Sequence, residues 1–170
     1  EKETSRLFKL YCVGTSKKWG GSTVFWQIDR QGKVRAGKIM LYNPTTGHRV
    51  KEPRSYVSWV HTELELEHFN MKQCLFGEHL LAGYPTKAVA IVESEKSALV
   101  ASHFMPDFVW LATGGIHGCF KADTVGVLKN HAVILCPDLG AKMVWQEKVH
   151  FLSSVCSKVV FSEKLEQLSL

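Results

Sequence analysis

Short strand-like runs alternating with helix-length stretches dominate the second half of the chain, and they limit what it can fold into. Residues 88–92, 108–112 and 132–136 are almost wholly apolar, and 158–161 is a fourth short run, Lys-Val-Val-Phe. A short strand that is apolar on both faces suits a parallel sheet covered on both sides. Between these runs, 94–104 places Ala98, Leu99, Ala101 and Ser102 at helical spacing, and 122–128 and 142–152 also read as helices. The spacing of Leu75, Phe76, His79, Leu80 and Leu81 predicts a further short helix over 71–82, ended by Gly83-Tyr84-Pro85. Alternating β and α at these intervals predicts an α/β fold, a mostly parallel sheet flanked by helices in three layers.

The first part of the chain reads differently. Residues 23–28 and 34–42 form a predicted β-hairpin around the polar turn at 29–33, which contains Gly32. A second turn cluster, Asn43-Pro44-Thr45-Thr46-Gly47, precedes the basic stretch His48-Arg49-Val50-Lys51. The organisation predicted is a smaller, β-rich, basic subdomain at 1–70 and an α/β domain with its lead-in helix at 71–170.

Charge follows the same division. Residues 1–60 hold 12 Lys and Arg against 4 Asp and Glu, whereas 61–170 hold 9 against 12, so the net +5 conceals a basic and a slightly acidic half. A basic module suits polyanion binding, and a solvated basic surface is the plainer alternative. Apolar residues at 45% and charged residues at 22% are ordinary globular usage and argue against disorder. No apolar run approaches the roughly 18 residues that span a bilayer, and no secretion signal follows Glu1, so the expectation is a cytoplasmic protein without membrane contact. The chain opens without an initiator Met, which suggests a processed or excised chain with flanking segments beyond it. Cys12, Cys74, Cys119, Cys136 and Cys156 include no C-x-x-C pair, so reduced thiols are expected and zinc is not. His117 and Cys119 lie close in sequence, but a loop or buried placement explains such a lone pair.

Ligands of open α/β sheets bind beyond the carboxyl ends of the strands. Glu93 stands at such an end after Val89-Ala90-Ile91-Val92, and Asp138 after Val133-Ile134-Leu135-Cys136-Pro137. Either acid alone reads as a helix cap. The two together, with Gly114-Gly115 opening a third strand end, predict one acidic corner whose hard oxygen ligands suit Mg²⁺.

At these residues a family resemblance emerges. The segment Val89 to Ala98, with Glu93-Ser94-Glu95-Lys96, resembles the first motif of Toprim domains, a strand followed by Glu-Gly and a helix. Val133 to Gly140, ending Cys-Pro-Asp-Leu-Gly, resembles the second, a strand followed by Asp-x-Asp. Toprim domains occur in bacterial primases, topoisomerases, recombination-associated proteins and small nucleases. Cys74 to Leu81 resembles the lead-in helix of bacterial, DnaG-type primase cores, and Phe25 to Tyr42 is similar to their basic β-rich subdomain, which tracks the template. More narrowly, the E-S-E-K and P-D-L-G-A stretches resemble primase-like proteins of Bacteroides-type mobile elements, in which a zinc ribbon can precede the core.

The resemblance implies that Glu93 is the general acid/base and that Asp138, with Glu93 beside it, holds Mg²⁺, or Mn²⁺ as a substitute. It implies single-stranded DNA or RNA, nucleotides, and a helicase or mobilisation protein as partners. Three positions depart from the pattern: Gly140 replaces the second Asp, Ser94 the usual Gly, and Ser97 an acid found in many members. Fewer carboxylates weaken a divalent site, and Glu95 compensates only if its turn points it inward. Arg35, Lys38, Arg49, Lys51 and Arg54 are the candidates for backbone phosphate contacts. Lys96 and Lys142 are further candidates, with solvated helix lysines as the alternative. Trp26, Tyr42 and Trp59 stack bases or fill the core. Glu63, Glu65 and Glu67, flanked by His61 and His68, read as a solvated face. Three activities therefore stay open: Mg²⁺-dependent, primase-like nucleotidyl transfer in mobile-element replication, a catalytically degenerate nucleic-acid-binding module, and a Toprim nuclease.

Overall fold

Hydrogen bonding divides the strands into two sheets that share one core. The computed structural model describes residues 2–164. The first sheet, antiparallel and ordered β1-β2-β3-β4, comprises β1 (Val13–Ser16), β2 (Ser22–Ile28), β3 (Val34–Met40) and β4 (Val57–Trp59). Helix α1 (Lys2–Leu10) precedes it, and the single turn α2 (Val60–Glu63) follows. The second sheet holds β5 (Val89–Val92), β6 (Val109–Ala112), β7 (Ala132–Leu135) and β8 (Lys158–Phe161), all parallel and ordered β6-β5-β7-β8. Helices α3 (Glu95–Phe104) and α4 (Lys142–Leu152) flank it. The α/β architecture expected from the alternation is therefore present, with the β-rich sheet ahead of it.

Burial follows the apolar pattern. All four residues of β5 and of β6 are buried, as strands covered on both faces require, whereas the edge strand β8 alternates exposed and half-buried residues. The N-cap of α3 is Ser94, whose hydroxyl accepts the Ser97 N–H at 3.0 Å. The serine that departs from the expected glycine thus starts the helix that follows Glu93.

The two sheets are welded by aromatic packing. Phe25 of β2 meets Phe76 edge to face at 5.6 Å, and Tyr11 stacks on Phe76 at 5.3 Å while donating its hydroxyl to the Trp110 carbonyl at 3.0 Å. Phe76 itself bridges Ala112, exchanging hydrogen bonds of 2.9 and 3.1 Å, so the lead-in segment extends the β6 edge. This pairing corrects the helix predicted over 71–82. Residues 71–77 run as a loop to the bridge, and only Glu78–Ala82 coils, as a 3-10 turn. Gly77 explains the break: its φ of +84° is left-handed, and an added Cβ would lie 3.0 Å from both the Trp110 carbonyl and the Tyr11 ring. The helix predicted over 122–128 likewise shortens to a 3-10 turn, Val125–Leu128, with the Thr124 hydroxyl hydrogen-bonded to the Lys121 and Cys119 carbonyls. Helix α1 and strand β1 have no counterpart in the expected elements. On the open face beside α3, a groove of about 790 Å³ is lined mainly by apolar residues, among them Trp110, Ile134 and Val160, and also by Asp138.

No helix among the described residues is long and apolar enough to cross a membrane.

Candidate active site

Parallel pairing of β5 with β7 brings the two carboxylate-bearing strand ends together. Ile91 is in register with Leu135, and the Cys136 N–H donates to the Ile91 carbonyl at 2.8 Å. One step further on, Glu93 Oε1 accepts the backbone N–H of Asp138 at 3.2 Å. Glu93 is 9% exposed, whereas Asp138 is open to solvent. Burial pushes the Glu93 carboxyl above the ordinary range, and the neighbouring Asp138 charge adds to the rise; the Asp138 N–H and His117 act in the opposite direction. Desolvation also raises Asp138, although the residue as a whole is exposed. A buried carboxylate beside a second one is the environment that tunes an acid/base group.

The third acid at this corner, Glu95, is spoken for. Only 1% exposed, it receives the Lys38 ammonium at 3.1 and 3.4 Å, and Lys38 also donates to the Gly114 carbonyl at 2.8 Å. The expectation that Lys38 contacts phosphates from the exposed basic face is therefore corrected. Lys38 shares the inward phase of β3 with Ala36 and Met40, all buried, and its amine ties the antiparallel sheet to α3 and to the loop after β6.

The other cations differ in what holds them. Arg35 closes the hairpin through Asp29, 2.5 Å away, whose other oxygen accepts the Gln31 and Lys33 N–H groups at 2.9 Å. Lys96 donates to the Gly47 carbonyl at 2.8 Å and lies over the Tyr42 ring, pinning the 43–47 turn to α3 beside the acidic corner. Lys142 pairs with Glu163 at 2.8 Å. Arg49, Lys51 and Arg54 are exposed, with Arg49 bridged to Tyr42 and Arg54 over the Tyr56 ring. Among the aromatics, Trp26 packs over Gly37, where a Cβ would come within 2.7 Å of its ring, and half-buried Tyr42 sets its ring edge to face with Phe25 at 6.2 Å. These two rings serve packing. Trp59 is half-buried beside His61, which stacks on Phe69.

A tight loop after β6 completes the corner. The Thr113 N–H donates to the Val92 carbonyl at 3.1 Å, the Gly114 N–H to the Glu93 carbonyl at 2.9 Å, and the Cys119 N–H back to the Thr113 carbonyl at 3.0 Å. The buried Cys119 thiol, pushed up to about 12 by burial, donates to the Cys74 and Thr113 carbonyls and fastens the loop.

The donor set fits Mg²⁺ in the sparse way that ion accepts, through one or two carboxylates, with waters and substrate phosphates supplying the rest. Among the described residues no group of three or more His, Cys, Asp or Glu gathers to hold a metal. Gly140 has a backbone reason to be glycine, since its φ is +80°. No heavy atom lies within 4 Å of an added Cβ there, so Gly140→Asp fits at a cost of about 1 kcal/mol for the left-handed backbone. That substitution is expected to tighten Mn²⁺ binding severalfold, measured by electron paramagnetic resonance titration, because it adds ligand charge at the corner.

The two-sheet arrangement defines a primase-type fold. The chain superposes on the primase fragment of the bacteriophage T7 primase-helicase protein with a TM-score of 0.61 at 18% identity, covering 95% of this chain and 60% of that one. On the RNA polymerase domain of Mycobacterium tuberculosis primase DnaG the TM-score is 0.51 at 11% identity, covering 94% and 54%. The chain thus spans less than two thirds of either structure. Residues 1–139 match DUF6371, described as a domain of unknown function, and the chain belongs to that family. No curated protein matches it.

Proposed function

We propose that this chain is a primase-like, Toprim-type module that binds single-stranded nucleic acid and transfers nucleotides at the Glu93–Asp138 corner. The observation that carries the reading is the 3.2 Å hydrogen bond from the Asp138 backbone N–H to the Glu93 carboxylate, which sets the two acid-bearing strand ends side by side where the parallel sheet adjoins the basic antiparallel one. Glu93 and Asp138 would hold a divalent cation, which offsets charge on the nucleotide phosphates when bound. The attacking hydroxyl oxygen forms a bond to the α-phosphorus, pyrophosphate leaves, and Glu93 takes the hydroxyl proton. A carboxyl raised by burial is suited to that exchange, since it takes up a proton more readily than an ordinary carboxylate.

Exposed Arg49, Lys51 and Arg54 would track the strand through its phosphates, a contribution that salt weakens. Removing Lys51 and Arg54 together should lower the slope of log affinity against log salt by about 1.4, at roughly 0.7 per single-strand phosphate contact. Fluorescence anisotropy with labelled oligonucleotide at several salt concentrations measures it, and an unchanged slope would remove these residues from the interface.

Two observations favour a second reading, a module that binds without catalysis: glycine stands where a third carboxylate would, and Lys38 neutralises Glu95. Nucleotide incorporation on single-stranded DNA, with Mg²⁺, with Mn²⁺ and with chelator, separates the two. The first reading predicts metal-dependent product, and the second predicts binding indifferent to chelator.

A further inference from the structure

The turn between β1 and β2 holds a tryptophan that neither the core nor the backbone asks for. Trp19 lies in the left-handed region, with a φ of 55° and a ψ of 31°, where a bulky side chain is a genuine outlier. Gly20 and Gly21 follow at φ +80° and +133°, and the Ser22 hydroxyl donates to the Lys18 carbonyl at 2.5 Å, so the turn is fixed in this shape. Strain of that kind persists where the surroundings impose it, and it gathers at binding sites. Burial in the core does not account for it. Half-buried Trp19 packs at a right angle to half-buried Tyr56, with 5.3 Å between ring centroids. Among the described residues, neither ring belongs to the hydrophobic core cluster.

Charge decides what such an aromatic pair would take. The Lys18 ammonium lies 4.9 Å from the Trp19 ring centre and the Arg54 guanidinium 5.5 Å from that of Tyr56, so a cation stands at each end of the pair. Lys18 is held by Glu63 at 2.5 Å, which leaves it as a support for the ring. Arg54 is exposed, as are Lys17 just before the turn and Lys51. Cations around an aromatic pair repel a cationic guest and attract a ligand that joins flat rings to negative charge. Single-stranded nucleic acid is such a ligand, since every base offers a π face and every step a phosphate.

We propose that Trp19 and Tyr56 are a stacking platform for the bases of single-stranded nucleic acid, with Arg54 beside it on the phosphates. The choice of ligand rests on the strand-binding part of the proposed function. The stacking itself requires nothing of the Glu93–Asp138 corner.

The probe is a labelled single-stranded oligodeoxynucleotide of mixed sequence, compared with the same strand built from abasic sugars, each titrated by fluorescence anisotropy in EDTA. Trp19→Ala should weaken binding of the ordinary strand about tenfold, the loss of one stacked base, and leave binding of the abasic strand unchanged. Its slope of log affinity against log salt should match the native one, because a stacked ring releases no counterion. Trp19→Phe, which keeps a flat ring, should recover most of the affinity. Equal affinity of native protein and Trp19→Ala for the ordinary strand would overturn the proposal. An equal loss on both strands, the mark of a merely structural role, would do the same, as would native protein that binds neither strand. Should Trp19→Ala fail to fold, the Trp19 indole N–H resonance of ¹⁵N-labelled native protein decides: it should move with the ordinary strand and stay in place with the abasic one. Because no readout involves extension, an absence of nucleotidyl transfer would sink the catalytic reading and leave this one standing. Strand binding that ignores Trp19 would do the reverse.

Discussion

Replacing Lys38 by methionine is expected to cost about 3–5 kcal/mol of unfolding free energy, because it strands Glu95 as an unpaired buried carboxylate. Both side chains are nearly inaccessible, at 11% and 2% exposure, so little solvent screening softens the loss. The effect should be large in urea unfolding monitored by tryptophan fluorescence. The double variant Lys38→Met/Glu95→Leu should recover most of it, since a buried pair exchanged for apolar residues of similar size is often neutral. If Lys38→Met cost no more than a surface substitution, within about 0.5 kcal/mol, the pair could not be the tie between the two sheets.

The second large effect falls on Glu93→Gln, and its two parts have opposite signs. Loss of the proton acceptor should lower nucleotide incorporation at least about 100-fold. Stability should move the other way. The folded protein holds the Glu93 proton more tightly than the unfolded chain does, so the native carboxyl contributes stability below the ordinary carboxylate range. That contribution is lost as pH rises through the elevated folded value. At pH 7 the native residue is therefore a burden, and the neutral amide, still able to accept the Asp138 N–H, should be more resistant to urea than wild type. At pH 4 the difference should shrink. A variant that lost activity by misfolding would show the reverse.

Much of this arrangement was legible in the sequence, because the parallel strands are short apolar runs and two neighbouring ones lead directly into an acid, Glu93 and Asp138. Parallel neighbours in register then bring Glu93 and Asp138 together without further information. Helix α1 is hard to read because only Leu7 and Leu10 turn inward among mostly exposed residues, and the Tyr11 just past its end signals the packing only once it is known to stack on Phe76. The segment at 71–82 has helical spacing, but Ala112 recruits Phe76 into a bridge, so tertiary pairing overrides local pattern.

Lys38 and Gln27 share one signal. Each sits on the buried phase of its strand, Lys38 with Ala36 and Met40, Gln27 with Phe25. A polar residue on the inward phase signals a buried ion pair or a ligand, whereas counting Lys38 among basic surface residues hides it. In the sequence His117 lies close to Cys119, two residues away. Its effect on Glu93 comes from the fold of the loop, which sequence spacing does not encode. The DUF6371 match ends at residue 139, just short of Gly140, so it is silent on the missing carboxylate.

The central claim is that Glu93 and Asp138 form a working nucleotidyl-transfer corner, and template-dependent incorporation of labelled nucleotide on single-stranded DNA tests it most directly. Wild-type protein in Mg²⁺ or Mn²⁺ should give product that disappears with EDTA and in Glu93→Gln. Equal product from Glu93→Gln, or no product in either metal from protein that still binds the strand, would contradict it.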